Sequence, residues 1–118
     1  MFVTPGSRVG IKAAPRLAHG YFAVSLGLGT RTGGTLTPDP RRNTIQHYTN
    51  GGAHTLTPPS PHGAMQIDVA NNASAGALAT GGFTKVDGDA LDTTNGSRFR
   101  LYISVGVAGS HLTIKKMA

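Results

Sequence analysis

The chain has 118 residues with a formal net charge of +6, 38% hydrophobic and 14% charged residues, 17 Gly, 7 Pro, and neither Cys nor Trp. That length leaves no room for a multidomain enzyme. The missing cysteines exclude a disulfide framework or thiolate metal site, so the redox compartment stays open. All five acids are Asp and fourteen residues are Thr, a mixture poor in helix formers and rich in β-branched and turn residues.

Charge is unevenly spread. Residues 1–42 hold Arg8, Lys12, Arg16, Arg31, Arg41 and Arg42 against Asp39 alone, whereas the remainder sets Lys85, Arg98, Arg100, Lys115 and Lys116 against four aspartates. A basic, Pro- and Gly-punctuated leading third suits a segment that grips something acidic. No signal peptide and no apolar run long enough for a transmembrane helix are expected.

Residues 1–20 read as an extended arm, because Pro5, Gly6, Gly10 and Pro15 interrupt any regular element and Phe2, Val3, Val9, Ile11 and Leu17 follow no sustained period. Residues 21–118 read as an antiparallel β-domain. Its first strand spans Tyr21 to Leu28, and Pro38-Asp39-Pro40 marks a loop or sheet edge. A short hairpin is expected from Thr44–Thr49 and His54–Thr57 around Asn50-Gly51-Gly52. Ala64–Ala70 alternates as a strand wetted on one face, Asp87-Gly88-Asp89 and Asn95-Gly96 are turns, and Arg98–Val105 pairs back with His111–Met117. Phe22, Leu56, Met65, Ile67, Val69, Phe83, Phe99, Leu101, Ile103 and Leu112 are the expected core. The fold class is therefore all-β: a small antiparallel β-sandwich or jelly roll with an extended N-terminal arm. With few apolar residues, such a unit is expected to be completed by association. The segments Gly33-Gly34-Thr35-Leu36-Thr37-Pro38 and Gly51-Gly52-Ala53-His54-Thr55-Leu56-Thr57-Pro58 are alike, but two short matches do not define a repeat.

Signatures of chemistry are sparse. The histidines at 19, 47, 54, 62 and 111 stand at no metal-binding spacing. Asp87, Asp89 and Asp92 place Arg98 where a calcium loop needs its bidentate Glu, so they read as turn formers. No nucleophile elbow or phosphate-binding loop occurs. We expect no catalytic residue, no metal and no cofactor. Arg98, Arg100 and Tyr102 share one strand face, yet two arginines make a solvated face more than a nucleic-acid platform.

From Asn50-Gly51-Gly52-Ala53-His54-Thr55-Leu56-Thr57-Pro58-Pro59-Ser60 through Asn71-Asn72-Ala73-Ser74-Ala75-Gly76-Ala77, Gly82-Phe83-Thr84-Lys85-Val86 and Thr93-Thr94-Asn95-Gly96, residues 43–118 resemble the β-rich modules of tailed-bacteriophage virion proteins. Such modules occur in tail fibres, head fibres and capsid decoration proteins, commonly as trimers, so the resemblance implies a structural role and carries over no active-site residues. A tail fibre needs shaft and tip, for which this chain is too short. The expectation is thus a capsid decoration, or cement, protein on the outer surface of the virion's capsid, a homotrimer whose partners are the major capsid protein and itself, with no membrane and no nucleic acid. Arg8, Lys12, Arg16 and Arg31 are the candidate contacts, with Phe2, Val3, Val9 and Ile11 as apolar anchors. Alternatives are a tail-fibre or tail-tip adhesion module, a basic nucleic-acid-binding protein and, last, a small hydrolase using some of His47, His54, His62, Asp68 and Asp92.

Overall fold

A computed structural model of the chain describes residues 24–60 and 62–118. The arm at 1–20, and with it Phe2, Val3, Arg8, Val9, Ile11, Lys12, Arg16 and the core candidate Phe22, lies outside the described residues. Among the described residues there is no helix, so none long and apolar enough to cross a membrane. The protein is all-β, with nine strands among the described residues: β1 (Leu26–Arg31), β2 (Thr35–Leu36), β3 (Ile45–Asn50), β4 (His54–Leu56), β5 (Gly63–Asn71), β6 (Leu78–Ala79), β7 (Lys85–Gly88), β8 (Arg98–Gly106) and β9 (Gly109–Lys116).

Their pairing is mixed, where the sequence suggested a wholly antiparallel body. β1, β3 and β5 run parallel in one sheet, and β2, β4 and β6 run parallel in a second. The chain therefore winds as three successive coils, each laying one strand in the six-stranded sheet (β1-β3-β5-β8-β9-β7) and one in the three-stranded sheet (β2-β4-β6). Parallel neighbours need a long crossover, normally helical. Here the return through the second sheet supplies it. The antiparallel character belongs to the C-terminal half, where β5 pairs with β8 and β8 with β9, while β7 lies parallel to β9.

The hairpin expected around Asn50-Gly51-Gly52 is a corner between the two sheets, so β3 and β4 are not partners. Each instead pairs with a strand one coil away: Arg31 aligns with Asn50 and Asn50 with Asn71, while Thr35 aligns with Thr55 and Leu36 with Leu56. The two similar Gly-Gly-containing segments are thus stacked corners of consecutive coils. Glycine is required there by close approach: a Cβ on Gly52 would lie 2.5 Å from the Thr32 carbonyl oxygen, and one on Gly76 would lie 2.1 Å from the Ala53 nitrogen. Asn50 ties the corners together. Its buried Oδ1 accepts from the Gly52 and Gly76 N–H groups, both at 3.2 Å, and its Nδ2 donates to the Gly76 carbonyl at 2.9 Å.

One apolar cluster fills the inside. It joins Leu36 and Leu56 of the small sheet to Tyr48, Met65, Ile67, Val69, Phe99, Leu101, Ile103, Leu112 and Ile114 of the large one, with Phe83 from the loop before β7. Every described residue in the expected core is buried. The body has its own continuous core, which the low apolar content did not lead one to expect.

Candidate partner-binding surface

With Gln46, Asn50, Asn71 and Ser110 the buried exceptions, alternation along the large sheet turns most of its polar side chains outward. Cross-strand register then sets them in rows, one of Thr30, Thr49, Ala70 and Arg98 and the next of Gly27, His47, Asp68, Arg100 and Lys115. Ala70 is short where Arg98, Arg100 and His47 are long, and the dip between them is a half-open hollow of about 330 Å³ that also touches Met117. Within it, Arg100 grips Asp68 with two contacts, Nε to Oδ1 at 2.8 Å and Nη2 to Oδ2 at 3.2 Å. That hydrogen bond, with the Coulombic attraction behind it, drives the Arg100 guanidinium further above its ordinary range.

Each of the other carboxylates is also engaged. Asp39 accepts from Arg41 Nε at 3.0 Å, and Asp92 from Lys116 Nζ at 2.7 Å. Asp87 accepts from His111 Nε2 and Thr113 Oγ1, both at 2.9 Å, and Asp89 accepts from the Lys116 backbone N–H at 2.8 Å. The side-chain hydrogen bonds from Arg41, His111 and Lys116, foremost in each case, hold Asp39, Asp87 and Asp92 below the usual carboxylate range. The Asp87–Asp92 cluster therefore straps its loop and β7 to β9, with its oxygens spent on separate partners. On the cationic side, Arg31, Arg42, Lys85, Arg98 and Lys115 make no salt bridge among the described residues, although Arg42 and Lys85 attract Asp39 and Asp87 at longer range.

Of the eight sequence candidates, Arg31 is the one inside the described region. It ends β1, half-buried, in register with Asn50, and its carbonyl accepts from Gly51 N–H at 2.9 Å. With Leu28, Leu36, Pro38 and Arg42 it lines a second hollow, of about 250 Å³, at the first coil's end of the stack. Arg98, Arg100 and Tyr102 do share the outer face, but Arg100 is committed to Asp68.

The histidines are dispersed. His54 is buried: its Nδ1 donates to the Gly52 carbonyl at 2.8 Å, which leaves Nε2 to accept the Tyr48 hydroxyl at 2.7 Å. Burial pushes the Tyr48 phenol above its ordinary value, although Arg31 opposes the shift. His47 Nδ1 meets Ser25 Oγ at 2.6 Å. Among the described residues, no two of His47, His54, His62, Asp68 and Asp92 bond to each other, and no group of three metal-ligating side chains comes together.

Sequence reasoning missed the hollow, whose residues come from three strands scattered along the chain, and the buried Asn50 and Asn71. For the asparagines a signal existed, since each stands immediately before a corner. No family model, curated protein or solved structure matches the chain.

Proposed function

We propose that this protein is a capsid decoration protein of a tailed phage, a homotrimer that binds the outside of the major capsid protein lattice and stabilises the head. The observation that carries the reading is the charge arrangement: all five carboxylates lie in the body and are engaged there, which leaves the surplus cations available to an acidic surface of another molecule. The resemblance of the turn segments to virion β-modules suggests the kind of molecule.

The sheet edges favour contact through faces and the arm over strand addition. β1 carries a register break between Gly27 and Thr30, and β7 is a short exposed edge bearing Lys85, both devices that blunt an edge against stray pairing. Two sheets closed on one core give the two-layer outline of a small β-sandwich, although β1–β6 pair parallel where sandwiches and jelly rolls alike pair antiparallel.

Purified protein mixed with expanded phage capsids tests the reading. The full chain is expected to bind and to resist removal less as salt rises, and deletion of residues 1–20 is expected to abolish binding. Unchanged occupancy after the deletion would remove the arm from the account, and failure of the full chain to bind would remove decoration itself.

A further inference from the structure

The hollow on the outer sheet face has an electrostatic asymmetry. Asp68, the acid within it, is neutralised by the two-point contact with Arg100. Arg98 stands in the same hollow with no carboxylate partner among the described residues. Its backbone is fixed on both sides, its N–H donating to the Ala118 carbonyl at 3.1 Å and its carbonyl accepting from Met117 N–H at 2.7 Å. A guanidinium on an anchored strand end presents a flat fork suited to a carboxylate. Beside it, Ala70 and Met117 give the lining apolar contact.

Location adds a second observation. Ser25, just before β1, lies with its Oγ 2.6 Å from Nδ1 of His47, a wall of the hollow, so the start of β1 borders it. Lys115, in register with Arg100 on the same outer row and without a salt bridge among the described residues, adds positive charge to this face, so an acidic surface docking here meets more than one cation. We propose that the hollow is an anchor pocket for a single acidic side chain of a protein partner, its carboxylate paired with Arg98 and the apolar side chain next to it resting on Met117 and Ala70. This rests on the decoration reading for the identity of the partner. A volume at the low end of ligand pockets suits one side chain more than an oligosaccharide.

Two measurements test it. In the first, occupancy of expanded capsids is compared for the full chain, Arg98→Glu, Arg98→Lys and the distant edge variant Lys85→Glu. Arg98→Glu is expected to weaken binding by about tenfold or more, Arg98→Lys much less and Lys85→Glu little. Wild-type-like occupancy of Arg98→Glu on capsids that bind the full chain would overturn the pocket and leave decoration standing.

The second measurement needs no capsid. The full chain is titrated with acetyl-Glu-Leu-amide and with acetyl-Gln-Leu-amide while backbone amide chemical shifts are followed. The Glu peptide is expected to move the signals of Ala70 and Arg98 in the wild type and not in Arg98→Glu, whose unmoved remaining spectrum shows that it folds. Equal response to both peptides, or none at these amides, would overturn the proposal. So would a stronger response to glucuronate, which would assign the hollow to acidic sugars.

Discussion

Asn50 Nδ2 donates to Oδ1 of Asn71 at 3.3 Å, joining two buried amides that occupy the same position in consecutive coils. Asn71 continues the ladder into the C-terminal cap, where its Nδ2 donates to the carbonyls of Asp92 at 2.8 Å and Thr94 at 3.1 Å. The pair thus links the parallel coils to the antiparallel half. Replacing Asn50 by Leu would leave the Gly52 and Gly76 N–H groups and the Gly76 carbonyl without their partner. Orphaned buried groups cost about 1–3 kcal/mol each before relaxation. We expect a fall of ~3 kcal/mol or more in urea unfolding for Asn50→Leu, and a smaller one for Asn50→Asp, which keeps the acceptor and loses the donor.

Glycine substitutions should separate by position. Gly76→Ala forces a Cβ against the Ala53 backbone, so we expect a chain that unfolds well below the wild type or accumulates as insoluble protein. A Cβ on Gly33 meets nothing within 4 Å, and Gly33→Ala is expected to change stability by no more than about 0.5 kcal/mol. Thermal melts of the two variants check the contrast.

At the bottom of the core, Ile67 and Leu101 are fully buried, cross-strand neighbours of β5 and β8. Truncation of either to Ala is expected to cost about 2–5 kcal/mol. Measured together, the two should be non-additive, since residues in contact share one cavity.

Two limbs of the pH profile follow from the named groups. Asp87 and Asp92 are held below their unfolded values by His111 and Lys116, so their contribution is present above pH of roughly 4 and is lost as pH falls through their folded values. Asp87→Asn and Asp92→Asn should flatten the acid limb of the urea midpoint. Tyr48 works in the opposite direction at high pH. Its phenol is raised on folding, so the unfolded chain gives up that proton first and stability declines as pH climbs past roughly 10. Tyr48→Phe should remove that contribution while costing about 1 kcal/mol near neutrality, because His54 Nε2 loses its donor.

What could be read beforehand follows the range of each contact. β5, β8 and β9 were legible because Met65, Ile67 and Val69, or Phe99, Leu101 and Ile103, alternate cleanly, and the β8–β9 hairpin because its partners adjoin in sequence. The coils were not, because β3's partners lie a full coil before and after it, and Asn50-Gly51-Gly52 carries the chemistry of a hairpin turn while serving as a corner. Thr35-Leu36-Thr37-Pro38 and Thr55-Leu56-Thr57-Pro58 did record the coil, but the third turn answers with Leu78-Ala79-Thr80 after a longer corner, so the period was hidden. The Arg98 hollow depends on register between distant strands, which alternation alone does not set.

The most direct measurement is the position of this protein on an assembled phage particle, imaged by electron microscopy with the protein labelled. Decoration predicts regularly spaced label over the outer face of the head, lost when residues 1–20 are removed. Label confined to the tail, or none on the particle, would contradict it.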